Sequence, residues 1–343
     1  MERMHHVRNL INAGKAVLEL AGEAAPIVDE QFMRIASRQA EAGGFFSVID
    51  ATYLEGDRRL DSIKHSPGCT LLPPNPYSND EIVNALELID LMLPGQVDEI
   101  LAIFSAEARR LDLFRRIRST PDSPGAKFLV VSNHLNLPDQ GFTMGFLHKA
   151  AAEQGFDRLE HHLIAVVGRL IGYFNLGQSN VVDDILRKVG SVLKTFPSGG
   201  SESLTEDEQE TLRLFRRVCN HHTKQVFGEV LELRGGQVIC MAPSGEEDRF
   251  DPAADIVRMR AFGEGTNDLV IEACRKGAVV LPAFVDYGPT ASIVRFLGER
   301  SVKSQADCHE IGREIAAVGT YARAEARQMH PKIDRFNYPI TYG

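Results

Sequence analysis

Tryptophan is absent from this chain, and cysteine is sparse: Cys69, Cys219, Cys240, Cys274 and Cys308 are widely spread, odd in number and form no Cys-x-x-Cys pair. That spacing argues against a disulfide framework and offers no zinc site, so reduced thiols in a cytosolic compartment are expected. None of the five advertises the electropositive setting that a nucleophilic thiolate needs, and Cys240, inside an apolar run, reads as a small core residue. An uninterrupted apolar run of ~18 residues is also missing, so no helix is expected to span a membrane. Positive charge is in deficit, with a net charge of −9. A nucleic-acid partner is therefore not expected. The first residues, Met1 to His6, lack a secretory apolar stretch and include an acidic residue. They suit a soluble cytoplasmic protein, or a plastid stromal one whose transit peptide has been removed.

What is present divides the chain in two. Helical spacing begins near Val7, with Leu10, Ile11, Ala16, Val17 and Leu20 on an amphipathic first helix, and extends to about Ile63. Pro67, Pro73, Pro74 and Pro76 mark Ser66 to Asn79 as a loop, and two helices follow between Asp80 and Arg118, separated near Pro94-Gly95. Residues 1–120 are read as a helical domain. After the Pro- and Gly-containing stretch Thr120 to Gly125, short aliphatic runs alternate with helical ones. Phe128–Val131, Leu163–Val167, Ser191–Thr195, Val238–Met241 and Val279–Phe284 have the continuous apolar character of strands covered on both faces. Gly141–Gln154, Val181–Val189, Thr205–Leu233 and Thr266–Lys276 read as helices, the third opening on a capping-box spacing, Thr205 to Glu208, and ending at Gly235-Gly236. The alternation predicts an α/β domain over 121–343, with a mixed, mainly parallel sheet flanked by helices and functional loops at one end of the strands.

One of those loops carries chemistry. Asn133-His134-Leu135-Asn136-Leu137-Pro138-Asp139 follows the first apolar strand and sets an imidazole and a carboxylate in a His-x4-Asp pattern. An alcohol is a poor nucleophile until a base takes its proton, and a neutral imidazole with a pKa near ~6.5 can do so. A neighbouring carboxylate orients the ring and stabilises the imidazolium, as in a Ser-His-Asp triad, with the nucleophile here supplied by the substrate. The plainer reading is that Asp139 simply caps the helix that follows.

A second segment bears on that choice. It runs Arg234-Gly235-Gly236-Gln237-Val238-Ile239-Cys240-Met241-Ala242-Pro243-Ser244-Gly245-Glu246-Glu247-Asp248-Arg249-Phe250-Asp251-Pro252: a Gly-Gly helix end, a short strand and a turning polar loop. With His134 and Asp139 it resembles the soluble, chloroplast-type glycerol-3-phosphate acyltransferases, whose stretch reads like R-G-G-x-x-x-x-x-A-P-S-G-G-R-D-R-x-D-P. The resemblance spans roughly Lys127 to Val302 and includes Val279 to Phe284 and Leu297 to Val302. It implies a transferase that moves a fatty acyl group from acyl carrier protein or coenzyme A to a hydroxyl of glycerol 3-phosphate, without a further cofactor or metal. His134 is then the base and Asp139 its partner, with Ser244, Gly245 and Arg249 on the substrate side.

The departures concern the acceptor phosphate. The first arginine of the family's G-G-R-D-R is Glu247 here, beside Glu246, and the family's Lys-His pair falls on Phe196-Pro197-Ser198-Gly199-Gly200-Ser201. Replacing a phosphate-contacting cation by an anion reverses an interaction of about 4 kcal/mol at 4 Å and an effective dielectric near 20. Either the acceptor lacks that phosphate, or Lys194, Lys224 and the Ser-Gly-Gly-Ser backbone hold it instead. A thioesterase using the same pair on water is a further alternative, as is a catalytically silent lipid-binding protein, which would not need both His134 and Asp139.

Two arginine clusters interrupt the acidic chain: Arg109, Arg110, Arg115, Arg116 and Arg118, and Arg213, Arg216 and Arg217. They would steer acidic acyl carrier protein, or meet anionic lipid at a peripheral contact if Leu113, Phe114 and Ile117 form an apolar face, or simply pair with nearby acids. His161-His162 and His221-His222 are adjacent pairs, which diverge on a helix and do not share one ion.

Overall fold

The computed structural model describes residues 71–72, 85–118, 124–136, 138–156, 159–168, 186–195, 223–224, 226–232, 235–244 and 248–343. The first amphipathic helix, the loop at 196–201, residues 245–247, and most of the helices expected at 181–189 and 205–233 lie outside them. The strands are β1 (Leu71–Leu72), β2 (Lys127–Ser132), β3 (Leu163–Gly168), β4 (Ser191–Thr195), β5 (Gln237–Met241), β6 (Arg249–Asp251), β7 (Ile256–Met259), β8 (Val279–Asp286), β9 (Ile293–Phe296) and β10 (Ile340–Tyr342). The helices are α1 (Ala85–Met92), α2 (Val97–Arg110), α3 (Leu113–Arg116), α4 (Asp139–Glu153), α5 (Glu264–Arg275) and α6 (Gln305–Met329), and residues 226–232 are also helical.

Among the described residues the main sheet has seven strands in the order β1-β4-β3-β5-β2-β8-β9. The five inner strands run parallel, and β1 and β9 close the two edges antiparallel. All residues of β2 and β5 are buried, as expected of central parallel strands covered on both sides. Alternation sorts their side chains into two cores. Leu129 and Val131 face one way, with Ile239 and Met241, and are covered by α5, α6 and the helical residues 226–231. Phe128 and Val130 face the other, with Val238 and Cys240, and are covered by α1, α2, α3 and α4. Helices preceding residue 120 thus share a core with the sheet, Phe104 of α2 stacking on Phe146 of α4 and meeting Phe296 of β9 edge-on.

The mixed, mainly parallel sheet flanked by helices matches the sequence expectation, as do all five expected strands. Differences lie at the margins. Leu71–Leu72 pairs with β4 inside the stretch read as loop. The longest described helix, α6, was not anticipated, although Ser304 and Asp307 form a reciprocal capping box at its start. A second sheet, β10-β7-β6, also went unread; its β6–β7 hairpin turns at Asp255 with a positive φ of 51°, and Asp251 accepts from Ala253 N at 3.0 Å. Gly125 and Gly236 let three backbone segments cross: a Cβ on Gly236 would lie 2.4 Å from Ala126 O and 2.5 Å from Ile117 Cα. Gly236 therefore serves this close approach as well as the helix end read from sequence.

No helix among the described residues is long and apolar enough to cross a membrane. Leu113, Phe114 and Ile117, the apolar face considered for lipid, are buried in the core.

Candidate active site

The site follows from how the chain leaves two neighbouring parallel strands. β2 and β5 are in register, Val131 opposite Met241, so His134 and Ser244 both lie three residues beyond the same rung. The helix after β2, α4, packs on one face of the sheet through Phe142, Met144 and Phe146. The first helix to follow β5 among the described residues, α5, packs on the other face through Leu269, Val270 and Ile271. Adjacent strands whose successors diverge to opposite faces leave a crevice outside their carboxyl ends, the place where open α/β sheets bind ligands.

His134 follows the carboxyl end of β2 on that side. Its side chain is 14% exposed, and Nδ1 lies 3.8 Å from Oδ2 of Asp139, whose side chain is fully buried. That separation is an ion-pair distance; catalytic hydrogen bonds in ligand-free sites are often long and tighten when substrate is bound. Asp139 is the first residue of α4, and its carboxylate also accepts from Asn136 N at 2.7 Å. Asp139 is thus not the cap that its position suggested: Pro138 is the N-cap, no side chain caps the helix, and the Asp139 carboxylate instead holds the preceding turn while facing the imidazole. Burial raises the Asp139 carboxyl above its ordinary range, opposed by His134 and by the backbone N–H groups of Asn136 and Leu135. The dipole of α4 favours its ionised form.

The floor beneath is rigid. Asn133 is buried, and its amide exchanges two hydrogen bonds with Val285 of β8: Nδ2 donates to Val285 O and Val285 N donates to Oδ1, both at 2.8 Å. Thr143 donates its hydroxyl to Asp139 O at 2.9 Å, which leaves the phenol of buried Tyr287, 3.3 Å away, as donor to Thr143 Oγ. Burial pushes the Tyr287 phenol upward, so it stays protonated.

Asp248, which sequence reasoning passed over, closes the other side. His134 N donates to its Oδ2 at 3.0 Å, Asp248 N donates to His134 O at 2.6 Å, and Arg260 N donates to Oδ1 at 3.1 Å. Burial pushes its carboxyl up to about 7, the Asp139 charge adds to the rise, and His134 and the two backbone donors oppose it. The signal available in sequence was its position between Glu247 and Arg249, where it matches the Asp of G-G-R-D-R.

The remaining expected residues are more scattered. Ser244 is half-buried in the turn after β5, while Pro243 O accepts from Gly263 N, the N-cap of α5. Gly245, Glu246 and Glu247 lie outside the described residues. Arg249 is exposed on β6, one residue beyond Asp248. Lys194 is near the carboxyl end of β4, at the same end of the sheet, but three strands from β2, roughly 14 Å at about 4.8 Å per strand. Lys224 forms an exposed ion pair with Asp268 of α5 at 2.8 Å. Cys240 is buried, which pushes its thiol up to about 12, in keeping with a core residue. His162 Nδ1 is 2.7 Å from Gly236 O, while His161 lies 3.6 Å from Glu160, so the adjacent imidazoles have separate surroundings.

The first arginine cluster is largely paired: Arg110 with Glu107, Arg115 with Asp112 and Arg116 with Glu299. Arg118 lies over the Phe156 ring. Comparison with known proteins adds no assignment: no family model matches the chain, and no match is found among curated proteins.

Proposed function

We propose that this protein is an acyltransferase that moves a fatty acyl group from the thioester of acyl carrier protein or coenzyme A to a hydroxyl acceptor, with glycerol 3-phosphate the first acceptor to test. The observation that supports this reading is His134 Nδ1 facing a fully buried Asp139 at 3.8 Å beyond the carboxyl end of β2. Nδ1 faces the carboxylate, and Nε2 takes the proton of an acceptor hydroxyl. The resulting alkoxide attacks the thioester carbonyl, and the tetrahedral oxyanion is stabilised by backbone N–H donors around Ser244. Collapse breaks the C–S bond, and the imidazolium returns its proton to the departing thiolate. Asp139 stabilises the imidazolium between those two steps. No covalent acyl-enzyme forms, so Ser244 is dispensable as a nucleophile.

A second reading keeps this chemistry on an acceptor without the phosphate. Glu247 stands where the resembled family has arginine, and Lys224, a cation that would compensate, is engaged by Asp268. Thiol release from acyl carrier protein thioester, by wild type and His134→Ala, with and without glycerol 3-phosphate, separates the readings. His134-dependent formation of the acyl glycerol phosphate supports the first. Transfer only to alcohols lacking a phosphate supports the second, and acceptor-independent release identifies a thioesterase. A stable acyl ester on Ser244 would overturn the direct-transfer mechanism.

A further inference from the structure

We propose that Asp248 is a positioning residue for His134, its carboxylate and main chain together fixing the backbone that carries the base. The inference rests on the acyl-transfer reading for its effect on rate, but the contacts themselves do not.

His134 and Asp248 exchange two hydrogen bonds across 114 residues of sequence, one through the Asp248 side chain and one through its main chain. The second carboxylate oxygen takes Arg260 N, so one side chain joins the loop after β2, the loop after β5 and the segment after β7. The two backbone N–H groups are aimed at different oxygens of this side chain. A carboxylate supplies both, whereas an amide supplies one and presents an N–H to the other donor. Glutamate, one methylene longer, displaces the oxygens from both donors. A base misplaced by about 1 Å loses on the order of 10²-fold in rate, so fixing this backbone bears directly on turnover.

The groups facing this carboxyl are His134 and Asp139 from the loop and helix after β2, with Arg249 beside it on β6 and Arg260 after β7. Because burial and Asp139 hold Asp248 near neutrality, its acceptor capacity changes in the pH range where an imidazole base acts. Protonation turns one oxygen into a donor and weakens the hold on His134 or Arg260.

The test combines kinetics with amide NMR on the full chain. Asp248→Asn is expected to lower kcat by roughly 10- to 100-fold, with KM for thioester and acceptor within about twofold of wild type. Asp248→Glu should not rescue it. In wild type, the amide protons of His134 and Arg260 should titrate together with a midpoint close to the Asp248 value, and that shared titration should vanish in Asp248→Asn. If Asp248→Asn does not fold, the wild-type titration still decides. Independent titration of the two amides, or an Asp248→Asn variant with kcat unchanged, would overturn the proposal. Should wild type transfer no acyl group to any acceptor, the functional reading fails, and the amide titration judges the positioning contact alone.

Discussion

Two buried carboxylate sites in this molecule are built on opposite principles. Asp286, at the end of β8, is 1% exposed and meets two guanidinium groups: Arg323 at 2.8 Å and Arg335 at 3.0 Å. Arg323 also donates to Tyr338 O, and Arg335 to Ala291 O, so the cluster ties α6, β8 and the C-terminal segment together. Asp139 and Asp248, by contrast, both meet His134, the first at its imidazole and the second at its main chain, and take their hydrogen bonds from backbone N–H groups. Burial raises both of their carboxyls, and the Asp139 charge adds to the rise at Asp248. Two guanidinium groups pair with Asp286, whereas the carboxyls beside His134 are raised by burial, a difference that fits the reactive centre proposed above.

The sharpest test of that contrast is a double dissociation. His134→Ala should lower acyl transfer by roughly 10²- to 10⁴-fold while leaving the denaturant midpoint near that of wild type. Arg323→Ala should do the reverse, costing about 3–5 kcal/mol of stability by uncovering a buried charge, with kcat of the remaining folded protein little changed. Equal losses of rate and stability in both variants would erase the distinction.

Asn133→Ala is next in size. It orphans the buried Val285 N–H and C=O together and should cost about 1–3 kcal/mol, measured by urea unfolding. It also loosens the residue preceding His134, so kcat should fall with it.

Asp248 gives a pH signature of defined sign. Its folded pKa, about 7, lies above an unfolded value near ~3.9, so the native state binds more protons in between. Its contribution to stability is complete below the unfolded value and is lost as pH rises toward and through 7. Unfolding midpoints between pH 5 and 8 should therefore contain a falling component that Asp248→Asn lacks; parallel profiles would remove the assignment. The smallest effect is expected at Lys224, whose exposed pair with Asp268 should change stability by about 0–1 kcal/mol on mutation to Ala.

The legibility of these two sites differed for a physical reason. His134 and Asp139 are five positions apart after the apolar run Phe128–Val131, so local pattern sufficed to propose them. Strands β2, β3, β4, β5 and β8 were equally legible because parallel strands buried on both faces are written as unbroken aliphatic runs. The β6–β7 hairpin was not: Arg249, Phe250 and Arg258 are exposed, and its apolar signal is broken by charge. Helix α6 dilutes its apolar stripe with Gly and Ala, and Gly312 and Gly319 are required because Tyr342 and Phe284 press against them. Its capping box was readable. Asp248 and Asp286 owe their roles to partners 114 and at least 37 residues away, which no local period encodes.

The amide of Asn133 imitates a missing peptide unit. On the β8 side it continues the rungs of β2 past their last member, Ser132 opposite Ala283, whereas pairing with β5 stops at Val131 and Met241. Strand-like pairing thus reaches further along the β8 seam than along the β5 seam, where His134 and Asp248 join the two loops instead. A ligand bound beyond these strand ends would therefore meet one wall held by a side-chain amide and another held by the His134–Asp248 pairs, and groups held in place beforehand leave less ordering to be done on binding.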